Sequence, residues 1–294
     1  PISYHSVFTI EEKYGFNKTT KITFLKDKIK GLLISLIIGG FILFVSIQIY
    51  ILFGANFWLW LWLFLSVFLI LTNMFYTTLI VPIFNKLSPL EEGSLKNKIE
   101  EYSKKIGYSL DKIFVIDGSK RSSKANAFFS GLGPKKTIAL FDTLIDKHEE
   151  DELVAVLAHE VGHYKKNHIK QGLLLSVLQV GIICYVLQLC INEPGLSYAL
   201  GASESSFHLG LIAFIFLFSP ISIIIGIGMN ILSRRNEYEA DNFAKESFNP
   251  ESLKNALKKL SSDSLTNLYP HPLYVFVHYS HPPLLKRLEA LDRK

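Results

Sequence analysis

Four long runs without a charged residue limit the fold of this chain more than any other feature: Gly31–Gly54, Phe57–Phe84, Gly172–Ile191 and Leu209–Leu232. The first run of 24 residues would extend about 36 Å as a helix, against a hydrocarbon core of about 30 Å. Each run is therefore expected to cross a membrane. A buried core helix can look similar, but four such runs in 294 residues exceed what one soluble core accommodates. Only Ala55 and Asn56 separate the first two, so these should form a tight helical hairpin. Trp58, Trp60 and Trp62 open its second arm, where amphipathic rings favour the membrane interface. The fourth run contains Pro220, Gly226 and Gly228, which membrane helices tolerate.

Charge placement sets the expected topology. None of the 31 Lys and Arg residues falls within Gly31–Asn85 or Gly172–Ser233, so the loops at 55–56 and 192–208 carry no basic residue. By the positive-inside rule those loops face away from the cytosol, and the remaining polar segments face it. The net charge of +5 then reflects membrane orientation, and the expected partner is membrane lipid, with no nucleic acid. The two cysteines, Cys184 and Cys190, sit in an apolar run and read as buried thiols, not as a disulfide framework or a zinc site.

Five regions follow. Residues 1–30 form a cytosolic-side N-terminal segment, by composition interfacial or loop, and 31–84 hold the hairpin of two membrane helices. Residues 85–171 read as soluble: SLKNKIEEYSKKIGY is an amphipathic helix, KIFVIDG and KTIALFDTLI are strand-like, and HEEDELVAVLAHEVGHYKKNH is a helix. Its acids lie at the start and its bases at the end, as the helix dipole favours. Residues 172–232 hold two more membrane helices, and 233–294 form a C-terminal polar part. The expected architecture is an α-helical integral membrane protein with a small α+β catalytic domain, a mixed sheet against helices.

The chemistry centres on His159, Glu160 and His163, in the order H-E-x-x-H. On a helix the two histidines share one face and can bind one metal ion, with Glu160 about 100° round from His159 and beside an open coordination position. That is the geometry of zinc-dependent peptide hydrolysis. Catalytic zinc needs a third protein ligand. A histidine six residues after His163 would serve, but that position is Ile169, and His168 misses the register by one. The KKNH run reads instead as a basic collar. SRRNEYEADNFAKESF, which follows the fourth apolar run, offers Glu237 as ligand, with Asp241 four residues on to take the ring N–H of a ligand histidine. Taken alone, that run reads as a solvated charged helix; its place directly after a membrane span, as with the H-E-x-x-H helix directly before one, favours the ligand reading.

Together these stretches resemble the type I CAAX prenyl endopeptidases, integral-membrane gluzincins. The resemblance is carried by IEEKYGFN, NKLSPLEEG, GSKRSSKANAFFSG, IALFDTLI, HEVGHYKKNH, SRRNEYEADNFA and HYSHPPLLKRLEAL. GSKRSSKANAFF and HYSHPPLLKRL point to this group above its HtpX-like quality-control relatives, and a non-catalytic membrane scaffold is the third reading. The resemblance implies a zincin-like catalytic domain with one Zn²⁺ per chain on His159, His163 and Glu237, Glu160 as general base and His281 as a donor to the oxyanion. It further implies Asn126 as a substrate-backbone contact beside an edge strand and Arg287 as a neighbouring support for substrate binding. The implied substrate is a prenylated peptide cut near its C-terminus, at the cytosolic face of the endoplasmic reticulum in a eukaryote or of the inner membrane in a bacterium. Family members have seven membrane helices, so a chain that begins at Pro1 and shows four is expected to lack the first three.

Overall fold

A computed structural model describes residues 1–107, 112–130, 137–204 and 206–293. The ends of three sequence motifs, Tyr108, Gly131 and Lys136, lie outside them. The principal helices are α1 Lys21–Phe53, α2 Phe57–Phe75, α3 Ser94–Lys105, α4 Glu150–Lys165, α5 His168–Asn192, α6 Phe207–Ser247, α7 Pro250–Asp263, α8 Pro272–His278 and α9 Leu284–Asp292. The strands are β1 Leu87–Pro89, β2 Lys112–Ile116, β3 Ala127–Ser130 and β4 Thr137–Phe141. The chain divides into two units, one of residues 31–73 and 170–231, the other of 1–30, 74–169 and 232–294.

The first unit is built from apolar helices. Among the described residues, three helical stretches are long and apolar enough to cross a membrane: Lys21–Phe84, His168–Asn192 and Phe207–Ser247. The first holds two of the four expected runs and folds back on itself at Gly54, whose φ of +51° favours a residue without Cβ. Phe41 and Phe64 lie 6.0 Å apart, ring to ring, although 23 residues of unbroken helix would separate them by about 35 Å. Phe57, Leu61, Cys184 and Ile191 pack together in a buried cluster. Polar groups find partners close by: the Trp62 indole donates to the Val177 carbonyl at 2.8 Å, and the Trp58 amide donates to Gln188 at 3.3 Å. In a bilayer, unpaired groups of this kind would be costly.

The second unit contains a four-stranded sheet in the order β1-β2-β4-β3. β2 and β4 run parallel, with Ile113 opposite Ile138 and Val115 opposite Leu140, and β1 and β3 flank them antiparallel. Ile138 and Leu140 of β4 pack with Leu153, Val154, Leu157 and Val161 of α4, with Ile99 of α3, and with Leu253 of α7. Ala139 on the opposite face is covered by Ile116 and Val81. Helix α4 opens with a reciprocal capping box between Glu149 and Glu152, which satisfies two otherwise unpaired amides.

The N-terminal segment, expected by composition to be interfacial or loop, is largely helical. Residues Ile2–Glu11 are helical, and α1 begins at Lys21, ten residues before the uncharged run, so the basic residues Lys26, Lys28 and Lys30 lie on the helix itself. The segment is tied to the GSKRSS turn: Lys18 donates to the Arg121 carbonyl at 3.1 Å, and Ser123 donates to Phe16 at 3.0 Å. Arg121 forms a two-point pair with Asp27 at 2.7 and 3.0 Å. Arg121 of that motif is thus committed to tethering the segment.

Candidate active site

The site lies wholly within the second unit. Helix α4 presents His159 and His163 one turn apart, and α6 brings Glu237 to them. Their approach depends on Gly162. A Cβ there would lie 3.0 Å from the Cα and carbonyl oxygen of Ala240 and 3.2 Å from Cβ of Phe243, so only glycine lets the α6 backbone pass this close.

His159 Nε2 and His163 Nε2 are 3.2 Å apart. Glu237 Oε2 lies 3.5 Å from the first, and Oε1 lies 3.3 Å from the second. One donor atom from each residue falls within 4.8 Å of the other two. The contacts behind this triangle fix its chemistry. His159 Nδ1 is 2.9 Å from Asp241 Oδ1. An ionised carboxylate only accepts, so Nδ1 carries the proton and the Nε2 lone pair points toward His163 and Glu237. Asp241 is also gripped by Arg287, at 2.8 Å from Nε and 2.6 Å from Nη2. Glu237 Oε2 is buried and accepts no hydrogen bond. Arg287 Nη1 stands 3.5 Å from that oxygen without a hydrogen bond to it, and a cation bound among the three donors would satisfy the oxygen. Two imidazoles and one carboxylate form a donor set suited to zinc, and the three residues fit such an ion.

Burial raises the Glu160 carboxyl above the ordinary carboxylate range, against the pull of the neighbouring histidines and Arg287. Burial alone would depress His159, but its bond to Asp241 outweighs that and raises it. Arg287 is likewise held charged against burial by Asp241 and Glu237.

A cleft of about 460 Å³ opens over these groups, lined by Asn126, Ala127, Glu160, Glu237, His281 and Arg287 among others. Asn126 immediately precedes β3, an outer strand of the sheet, and Ala127 opens it. The Asn126 carbonyl accepts from Phe141 at 3.0 Å, and its side-chain oxygen accepts from the Ala127 amide at 2.9 Å. His281 stands at the rim with its side chain 65% exposed and Nε2 3.4 Å from Glu237 Oε1. Its Nδ1 lies 2.9 Å from the Ser280 hydroxyl. Arg287 reaches the cleft as well, yet its short contacts go to Asp241. All eight site residues picked from sequence line this cleft or bond to a residue that does. Sequence reasoning missed two features: the close approach at Gly162, and His168, which is 7% exposed and lies with Nδ1 3.1 Å from His163 Nδ1.

Comparison with known proteins settles the family. The model of peptidase family M48 matches residues 89–294, the part that carries every group described above. The chain belongs to peptidase family M48. It is a metalloendopeptidase of that family, and the resemblance read from its motifs holds. A second family model, described as CAAX prenyl protease N-terminal, five membrane helices, matches residues 1–86 of this M48 chain. That description conflicts with the expectation that the first three of seven spans are missing, and the expectation is withdrawn. CAAX prenyl protease 1 of Saccharomyces cerevisiae is 40% identical over 308 residues, covering 99% of this chain and 68% of the relative. The CAAX prenyl protease 1 homolog of Arabidopsis thaliana is 39% identical, covering 99% and 69%. The crystal structure of S. mikatae Ste24p aligns with a TM-score of 0.94 at 39% identity, over all of this chain and 72% of that one.

Proposed function

We propose that this M48 chain is a membrane-embedded zinc endopeptidase that hydrolyses a peptide bond near the C-terminus of a prenylated, CAAX-type peptide. The observation that carries the metal is the gathering of one ligand atom each from His159, His163 and Glu237 within 4.8 Å of one another, with Glu237 Oε2 buried and without a hydrogen bond. The substrate class rests on relatives named as CAAX prenyl proteases over 99% of the chain. His159, His163 and Glu237 would hold one zinc ion, which when bound supplies Lewis-acid polarisation of the scissile carbonyl and makes water a stronger nucleophile. Glu160 is the general base. Its raised affinity for a proton suits it to take one from the attacking water and return it to the leaving amine. The peptide lies as an added strand along β3, with Asn126 at its start, because an outer strand offers unpaired backbone groups at a spacing a peptide can match. His281 donates to the developing oxyanion from the rim. Arg287 acts mainly through Asp241, holding the carboxylate that fixes the His159 tautomer. The site faces the cytosol, on the side where all Lys and Arg lie.

The test is metal analysis and peptide cleavage on purified full-length protein. Glu160→Gln should keep one zinc and lose activity by about 10²- to 10⁴-fold, whereas His159→Ala and Glu237→Ala should lose both. Peptidase activity retained in Glu160→Gln would end this mechanism. Cleavage of a farnesylated C-terminal peptide in preference to an unfolded membrane protein separates the proposed substrate from a quality-control role.

A further inference from the structure

We propose that His168 and Glu239 form a hydrogen-bonded relay that positions His163 and sets its tautomer, so that the metal site is held from both sides. The inference rests on the metal reading above. His163 Nδ1 lies 3.1 Å from His168 Nδ1, and His168 Nε2 lies 3.2 Å from Glu239 Oε2. Arg235 Nε, in turn, donates to Glu239 Oε1 at 2.9 Å. The direction of this chain follows from its far end. Glu239 is an acceptor, so His168 must donate from Nε2, and a neutral His168 then has its lone pair on Nδ1. That lone pair can only receive the Nδ1 proton of His163, which leaves the His163 Nε2 lone pair aimed at Glu237. Asp241 imposes the same polarity on His159. Two acceptor carboxylates, Asp241 directly and Glu239 through one imidazole, therefore turn both Nε2 lone pairs toward one point.

Local backbone makes the relay possible. On an unbroken helix a residue five places after His163 would lie about 140° round the axis. Helix α4 ends at Lys165, and Asn167 adopts φ +60°, a left-handed conformation that asparagine tolerates better than most residues. The helix is interrupted there, and His168 begins α5 buried against His163, their ring centroids 5.2 Å apart at 72°.

The experiment measures the zinc dissociation constant of purified full-length protein by chelator competition, with the absorption spectrum of the Co²⁺-loaded form as a second readout of ligand geometry. His168→Leu, which removes the relay, should weaken zinc binding about 10- to 100-fold and alter the Co²⁺ spectrum, as loss of such outer partners does. His168→Gln can accept from His163 and donate to Glu239 with one carboxamide, and should stay within about threefold of the parent. Glu239→Ala, at a partly exposed position, should fall between them. The proposal is overturned if His168→Leu folds and binds zinc like the parent, or if His168→Gln is as weak as His168→Leu. Should His168→Leu fail to fold, Glu239→Ala decides: an unchanged zinc constant and an unchanged Co²⁺ spectrum overturn it. A parent that binds no zinc refutes the metal reading itself, which is a distinguishable result.

Discussion

In the unit made of residues 31–73 and 170–231, Leu36, Ile37, Phe44, Phe216 and Ile224 are 62–71% exposed, whereas in the other unit Leu153, Val154, Leu157 and Val161 are exposed by 1% or less. Two surrounding media account for the difference. Lipid gives an apolar side chain no reason to turn inward, so helices there associate through close packing and local hydrogen bonds. Water drives the same side chains into a core around β4 and α4, and that core fixes the rim on which the catalytic groups stand. The polar cost of the site, with three carboxylates and three histidines gathered around Arg287, falls on the unit whose packing can hold them in register.

The largest test of this contrast compares two leucine truncations. Leu153→Ala should destabilise the sheet-containing unit by about 2–5 kcal/mol, the usual range for a buried leucine. Leu36→Ala, on an outward apolar face, should cost less than about 0.5 kcal/mol. Denaturant titration in detergent reads both, and equal losses would break the comparison. His281→Ala removes an exposed rim donor. It should lower kcat by about 10²- to 10³-fold while zinc content and thermal midpoint stay at parental values; a lost metal would show that His281 holds the site together instead. Gly162→Ala tests the helix approach. With a backbone atom 3.0 Å from the new Cβ, α4 and α6 must separate at a cost of about 1–3 kcal/mol, and zinc affinity should fall with stability because Glu237 moves away with α6. The smallest effect is a pH dependence confined to the water-facing unit. His148 is fully buried, and burial drives its pKa below the ordinary value despite Glu152 beside it. The unfolded chain therefore takes up this proton first, near pH 6.5, and stability falls as pH drops from there toward the lowered folded value. Comparing thermal midpoints at about pH 7.5 and pH 5.5 should show that His148→Gln flattens part of this slope.

The apolar runs were legible because a membrane helix is a local property: length, absence of charge and flanking bases state it within one stretch of chain. H-E-x-x-H was legible for a similar reason, since helical spacing alone puts His159 and His163 on one face. Strands β2 and β4 showed as apolar runs. β1 and β3, of three and four residues, are too short for alternation to register, and only pairing with neighbours made them strands. The contact of His168 with His163 was not legible because a register count assumes an unbroken helix, and the left-handed turn at Asn167 breaks it.

By itself, then, the sequence determined where the chain meets lipid, which helix carries the two histidines, and, through shared motifs, which later residues were worth weighing as partners. Tertiary structure alone decided that Glu237 arrives within 3.5 Å of both imidazoles, that Asp241 is shared between His159 and Arg287, and that His168 backs His163. The physical reason is distance along the chain. Helical periodicity relates residues three or four apart, whereas Glu237 lies 74 positions beyond His163 and reaches it only because Gly162 leaves room for the α6 backbone at Ala240.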